Sequence, residues 1–224
     1  MSTFYNKVPV LSTDVSSELS LLAFSNKSAC LKQINSAASS PFSYAIGFGN
    51  KSNASLIVGG EDDGDSFSTQ LLIAFVENLS EALSRDGLLF GINIKKIFSY
   101  NGLWVVPSLK SHPPDFQVHN FILNELRPKR LLEIRLCGET IRYSFGKRPA
   151  PNSKLMAYLL ASSCGYHIDK RNIFLDNNLC SWFASEFSGP AFSMSVGREL
   201  DLTPSDVEPL LARLFECLAL FIAA

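Results

Sequence analysis

Short apolar runs alternate with segments of helical periodicity along most of this chain. The runs "ASLIVGG" (54–60), "LWVVPSL" (103–109) and "AFSMSVG" (191–197) each have the length and apolar character of a buried strand. Longer segments with apolar residues three and four apart lie between them and predict helices, and residues 115–126 and 179–187 are also predicted to be helical. Strands that alternate with helices predict an α/β fold with a central mixed, largely parallel sheet, and we expect one domain over residues 1–224.

Local patterns give more detailed expectations. Residues 15–38 are predicted to form a surface helix, and "FSYAIGFG" (42–49) and "ASLIVGG" (54–60) are predicted to be neighbouring strands. Ser68 is the expected N-cap of a long helix that ends at Asp86 and Gly87. The strand of residues 54–60 is expected to be central because it is apolar throughout.

The overall charge and the cysteines exclude several classes of function. The chain has 20 basic and 21 acidic residues, so no global field attracts nucleic acid or an anionic membrane surface. The five cysteines form no CxxC pair, the N-terminus shows no secretory signal, and the apolar C-terminal run is too short to span a bilayer. We therefore expect a cytoplasmic protein with free thiols that binds neither nucleic acid nor membrane.

Several stretches, taken in order, resemble one known family. They are "SLIVGGEDDGDSFSTQLLIAFVENL", "LWVVPSL", "RLCGETIRY", "GKRPAPNSKLMAYLLASSCGY", "CSWFASEF" and "GPAFSMSVGR". The chain resembles the zinc carboxypeptidases, in particular the bacterial peptidases that cleave the γ-D-glutamyl–diaminopimelate bond of peptidoglycan stem peptides. The resemblance implies a three-layer α/β sandwich and would imply a zinc-dependent peptidase.

The resemblance fails at the positions that perform the family's chemistry. The first two zinc-ligand positions, an H-x-x-E motif in active relatives, hold Asp62 and Asp65. Aligning Gly138 and Glu139 with the family's glycine and glutamate puts Arg135 at the third ligand position. Ser195 stands at the position of the catalytic glutamate. A long segment that carries the family's substrate-binding arginines is also missing after "LWVVPSL".

These changes remove the family mechanism. Arginine stays protonated and has no lone pair to give to a metal, and serine cannot replace a carboxylate base at neutral pH. The sequence therefore predicts no cofactor and a catalytically inactive homologue that binds a peptide, a cell-wall fragment or a protein partner. The alternative is a hydrolase, either a metallo-carboxypeptidase or a γ-D-glutamyl–diaminopimelate peptidase, with a rebuilt zinc site.

Two interpretations of the altered positions stay open. In the first, Arg135 lies against Asp62, Asp65 or both, so that a salt bridge takes the place of the metal. In the second, the two aspartates are ordinary solvated residues of an acidic turn. Together with Glu139, Trp182 and Ser195, the three residues define the candidate residual cleft.

Other candidate sites carry weaker signals. His112, Asp115 and His119 have a spacing that could ligate a metal on one helix face, although Pro113 and Pro114 disfavour a continuous helix there. Cys137 and Cys164 are candidate nucleophiles without an identifiable base, and buried inert thiols are the simpler interpretation. Trp182 and Phe183 either line the cleft or belong to a core aromatic cluster, and the cluster is preferred.

Overall fold

The chain folds into three layers, with one eight-stranded sheet between two layers of helices. The structure is a computed structural model that describes residues 14–34, 43–60, 65–109, 116–136, 138–143, 152–169, 178–187, 189–197 and 204–224. The strands are β1 (Ala29–Ile34), β2 (Ser43–Gly49), β3 (Ala54–Val58), β4 (Leu88–Leu89), β5 (Ile92–Asn93), β6 (Gly102–Val106), β7 (Arg130–Leu136), β8 (Thr140–Tyr143), β9 (His167–Ile168) and β10 (Ala191–Val196). The helices are α1 (Val15–Ser25), α2 (Ser66–Ser84), α3 (Ile94–Phe98), α4 (Phe116–Phe121), α5 (Ser153–Cys164), α6 (Leu179–Phe187) and α7 (Pro204–Ala223).

The sheet is mixed and has the order β1-β2-β6-β3-β7-β10-β8-β9. Parallel pairs join β6, β3, β7 and β10 in the middle. Towards the edges, β1 pairs antiparallel with β2, β2 with β6 and β8 with β10, and β9 pairs parallel with β8. Strands β3 and β7 are buried on both faces, as central parallel strands are. The expected fold class and the central position of β3 are both confirmed.

Two hydrophobic cores lie on opposite faces of this sheet. On one face, helices α1, α2, α5 and α7 pack against alternate strand residues such as Ile57, Leu132 and Met194. On the other face, α4 and α6 pack against the intervening strand residues, such as Leu56 and Leu131. Successive residues of a strand point to opposite faces of the sheet, so alternate residues of each strand belong to different cores.

The structure corrects three sequence expectations. Residues 15–38 do not form one helix, because α1 ends at Ser25 and β1 follows as an edge strand that pairs with β2. Strands β2 and β3 are not hydrogen-bonded neighbours, since β6 lies between them. The N-cap of α2 is Asp65 rather than Ser68, and Ser68 lies within the first turn of the helix.

Other predicted elements agree with the structure. The predicted helix of residues 179–187 matches α6, and the predicted helix of residues 115–126 corresponds to α4 and the π-helical turn Ile122–Leu126 that extends it. No helix in the described ranges combines the length and the apolar character that a bilayer crossing requires.

Trp104 fixes the contact between β2 and β6. It is buried on β6 and pairs with Gly47 of β2, and its ring covers the place where a side chain of Gly47 would lie. The ammonium groups of Lys32 and Lys51 lie 5.7 and 5.8 Å from the centre of the Trp104 ring. Gly47 is therefore required by the close approach of an aromatic ring.

We predict that Gly47→Ala lowers the free energy of unfolding by about 1–3 kcal/mol, because the new methyl group overlaps the ring of Trp104. Urea unfolding monitored by circular dichroism measures this change. The matched control is the same substitution in a Trp104→Leu background, where the smaller side chain leaves room for the methyl group. An equal cost of Gly47→Ala in both backgrounds would show that the ring is not the cause.

Candidate functional site

The candidate site lies where β3, β7 and β10 run side by side. Strand β7 pairs in parallel with both neighbours, so that Glu133 lies beside Val58 on β3 and beside Ser193 on β10. Two residues further along, Arg135 lies beside Ser195. The parallel register therefore brings together the two residues that the sequence resemblance aligns with a zinc ligand and a general base.

Arg135 forms its described ion pair with Glu133. The two residues are two apart on β7 and so share one face of the sheet. Arg135 Nε lies 3.2 Å from Glu133 Oε1, and the Glu133 side chain is 0% exposed whereas that of Arg135 is 28% exposed. A buried carboxylate is costly unless a cation compensates it, so Arg135 stabilises the charge of Glu133 from the solvent side.

Asp65 has a structural role at the start of α2. It is buried, and its carboxylate accepts hydrogen bonds from the backbone N–H of Ser68 at 2.9 Å and from the Ser68 hydroxyl at 2.5 Å. The Ser68 hydroxyl in turn accepts a hydrogen bond from the backbone N–H of Gly60 at 2.8 Å. This chain of bonds joins the end of β3 to the first turn of α2 and occupies both oxygens of Asp65.

The expected salt bridge is only partly described. Asp65 is neither a solvated turn residue nor an ion-pair partner of Arg135 among the described residues, because its oxygens bond to Ser68. Asp62 lies outside the described residues, so the pairing of Arg135 with Asp62 stays a prediction. Glu139 is exposed at the turn between β7 and β8, and Ser195 is half-buried on β10.

The residues present do not fit a zinc site built as in the resembled family. The position of the third ligand holds a guanidinium, which has no lone pair for a metal, and Asp65 is committed to capping α2. Within the described ranges, no group of three or more His, Cys, Asp and Glu side chains has a geometry that could hold a metal ion.

The weaker candidates are placed as follows. His119 stacks on Trp182, with ring centres 3.9 Å apart and planes 8° apart, while His112 and Asp115 lie outside the described residues. Trp182 is half-buried and packs against the core beneath α6, and Phe183 is fully buried. Both aromatic residues therefore belong at least in part to the core cluster, as the preferred interpretation expected.

The described cysteines are free thiols, and three of them are buried. Cys164 and Cys217 lie between α5 and α7, where both sulfur atoms contact the carbonyl oxygen of Leu160. The hydrogen bond from Cys217 lowers the pKa of Cys164, while the same contact and burial raise the pKa of Cys217. Cys137 lies outside the described residues, so its role as a nucleophile stays a hypothesis.

The sequence motifs do not single out Glu133. It lies in the apolar stretch "LLEIRL", outside the motifs that carry the family resemblance. A signal is nevertheless present: Glu133 and Arg135 are two residues apart in a stretch with strand character, which puts opposite charges on the same face. Arg142 and Asp169, which pair at 2.9 Å on β8 and just after β9, are far apart in the sequence, so no local pattern relates them.

We predict that Asp65→Ala lowers the free energy of unfolding by about 1 kcal/mol, because α2 loses its N-cap acceptor. Asp65→Asn should cost less, since the amide oxygen still accepts a hydrogen bond from the Ser68 backbone N–H. Thermal and urea unfolding measure both changes. Asp86→Ala, which removes an exposed turn carboxylate, is the control, and equal effects at the two positions would contradict the capping role.

We predict that Arg135→Leu lowers the free energy of unfolding by about 3–5 kcal/mol, because it leaves Glu133 buried without its cation. The double variant Glu133→Leu/Arg135→Leu should recover most of this loss, since it removes both charges. Arg85→Leu, which breaks an exposed pair with Glu81, is the control and should cost under about 1 kcal/mol. A double variant as unstable as the single one would contradict the role of the ion pair.

The fold is similar to solved structures of metallo-carboxypeptidases. Bovine thrombin-activatable fibrinolysis inhibitor in complex with a tick carboxypeptidase inhibitor matches with a TM-score of 0.69 and 9% identity, covering 94% of this chain and 96% of that chain. A metallo-carboxypeptidase from Burkholderia cenocepacia matches with a TM-score of 0.66 and 9% identity, covering 93% of this chain and 67% of that chain. A metallo-carboxypeptidase from Pseudomonas aeruginosa, in complex with (2-guanidinoethylmercapto)succinic acid, matches with a TM-score of 0.60 and 10% identity. The match covers 93% of this chain and 68% of that chain.

Comparison of sequences alone finds no such relationship. No protein-family model matches the chain, and no curated protein matches it. At 9–10% identity the structural similarity concerns the fold. The chain therefore has the metallo-carboxypeptidase fold.

Proposed function

We propose that this protein is a catalytically inactive homologue of the metallo-carboxypeptidases that binds a peptide, either a cell-wall stem-peptide fragment or a segment of a protein partner. The observation that carries the proposal is the pair formed by Glu133 and Arg135. A guanidinium held at 3.2 Å from a buried carboxylate occupies the third ligand position, and it can donate hydrogen bonds but cannot ligate a metal.

The neighbouring residue supports the same proposal. Ser195 lies beside Arg135 in the parallel register of β7 and β10, at the position of the family's general base. A serine hydroxyl does not accept a proton from water at neutral pH, so it cannot activate a nucleophile as a carboxylate does. Binding of a peptide requires neither a metal nor a base.

The fold and the sequence motifs are the basis for proposing a peptide as the ligand. Structures with this fold include metallo-carboxypeptidases, and the motifs resemble the branch that acts on γ-D-glutamyl–diaminopimelate peptides. Fold similarity alone does not determine a ligand, so the site must be tested directly. The proposal also places the protein in the cytoplasm, where thiols such as the described free cysteines remain reduced.

Three measurements on the purified wild-type chain test the proposal. We expect less than one-tenth of a zinc ion per chain by metal analysis, and no cleavage of a γ-D-glutamyl–diaminopimelate peptide by mass spectrometry, with or without added zinc. We also expect calorimetric binding of the same peptide with a Kd of about 1 mM or lower. An α-linked peptide of the same composition is the matched ligand control and should bind more weakly.

Two outcomes would overturn the proposal. One zinc ion per chain together with cleavage of the peptide would instead support a hydrolase with a rebuilt metal site. Absence of binding to stem peptides and to a random peptide library would reject a peptide-binding role of any kind.

A further inference from the structure

Three sulfur atoms lie close together in the core between α5, α7 and β10. Cys164 is the last residue of α5, Cys217 lies on α7, and Met194 lies on β10. All three residues are buried: Cys164 is 1% exposed, and the other two are 0% exposed. Three separate elements therefore contribute one sulfur atom each to a buried group, which we call the sulfur cluster.

Short contacts connect the members of the sulfur cluster. Cys217 Sγ lies 3.9 Å from Met194 Sδ. The thiols of Cys164 and Cys217 form a hydrogen bond with each other. Their sulfur atoms also lie 3.0 Å and 3.6 Å from the same carbonyl oxygen, that of Leu160. The two thiols and the thioether thus lie around one small region beside the C-terminal part of α5.

The spacing within the sulfur cluster suits a bound metal ion. A metal–sulfur bond is about 2.3 Å long, so two sulfur ligands at tetrahedral to trigonal angles are about 3.8–4.0 Å apart. The distance of 3.9 Å between Cys217 Sγ and Met194 Sδ agrees with this separation. Cys164, which is hydrogen-bonded to Cys217, is in a position to be the third ligand.

The types of ligand select the metal. Thiolate and thioether sulfur atoms are soft ligands, and they favour Cu(I). Cu(II) prefers nitrogen and oxygen ligands in a tetragonal arrangement, which three sulfur atoms do not provide. Zinc takes at least three strong protein ligands, and the sulfur cluster has two thiols and a thioether, which is not among the usual ligands of zinc. Cu(I) is therefore the ion that fits the cluster.

Arg213 is placed to balance the charge of such a site. Two thiolates with one Cu(I) ion carry one net negative charge, which is costly in a buried place without a compensating cation. The guanidinium of Arg213 interacts electrostatically with Cys164. Its Nη1 lies 3.4 Å from the place where a Cβ at Gly165 would lie, and Gly165 directly follows Cys164. With this cation the charges of the site balance.

We propose that Cys164, Cys217 and Met194 form a binding site for one Cu(I) ion. When the ion binds, both thiols release their protons to the solvent, and the two thiolates and the thioether become its ligands. The ion reaches the site through the last turn of α5, because this helix ends at Gly165, which is exposed and adjacent to Cys164. The bound ion joins α5, α7 and β10.

A copper titration under anaerobic conditions, with ascorbate as the reductant, tests the site. Cu(I) is added to the full chain together with bathocuproine disulfonate, a chelator whose Cu(I) complex is coloured. We expect the protein to take one Cu(I) ion per chain from the chelator and to develop thiolate-to-copper charge-transfer absorption in the ultraviolet. X-ray absorption at the copper edge should show sulfur ligands at about 2.3 Å. An excess of Zn²⁺ should not displace the copper.

Variants identify the ligands. The double variant Cys164→Ala/Cys217→Ala should lose the site, and Met194→Leu should weaken Cu(I) binding by about tenfold or more. Cys180→Ala, which removes a buried thiol from the core on the other face of the sheet, is the control and should bind Cu(I) as the wild type does. Circular dichroism checks the fold of each variant. Met194→Leu nearly conserves volume, so it tests the site even where the double variant does not fold.

Thermal unfolding provides a second readout. Cu(I) should raise the Tm of the wild type, because it binds the folded state, and it should not raise the Tm of the double variant. Absence of copper uptake by the wild type, unchanged uptake by the double variant, equal affinity of Met194→Leu, or displacement of the copper by zinc would each overturn the site. Peptide binding is a separate matter, because Met194 belongs to the core on the α5 and α7 side, whereas the adjacent Ser195 points to the opposite face.

Discussion

A fully buried carboxylate in the middle of the sheet constrains the site more than any other single group. Glu133 lies on β7 between β3 and β10, two strands that supply only Val58 and Ser193 beside it. Neither of its oxygens accepts a hydrogen bond from the residues that the structure describes, and Arg135 forms an ion pair with it. Because an uncompensated charge at this depth would cost several kcal/mol, the arginine is needed for stability.

An arginine that compensates a buried carboxylate differs from a bound metal ion in one respect. A metal ion can leave a folded protein, and the ligands that held it remain as uncharged or solvated groups. Replacing an arginine that compensates a buried carboxylate leaves the carboxylate without a cation, and this lowers the free energy of unfolding. Arg135 is therefore part of what stabilises the centre of the sheet.

The sequence predicted those features that depend on local pattern. Strand β3 and helix α6 were predicted because their apolar residues recur with the period of the element they form. The order of strands was not predictable in this way: the apolar character of β2 and β3 does not reveal that β6 inserts between them. Strand β1 was missed because a half-buried edge strand has a mixed pattern that resembles a surface helix.

The family motifs single out candidate residues but do not reveal their partners. Two of these residues, Arg135 and Ser195, lie side by side in the register of β7 and β10. They could not reveal that Asp65 caps α2, because a carboxylate three residues before a serine fits either a cap or an ion pair, and only the geometry of the turn decides between them.

Strand register also brings together residues that no local sequence pattern relates. Arg135, Ser195, Thr140 and His167 come from four strands, and each is paired in register with the next. Because paired residues point to the same face of a sheet, this face is polar at the end of β7, whereas it is apolar at Leu131 near the start of the same strand. In the sequence each of these residues is an ordinary polar residue near a strand end, and only the order of the strands places them side by side.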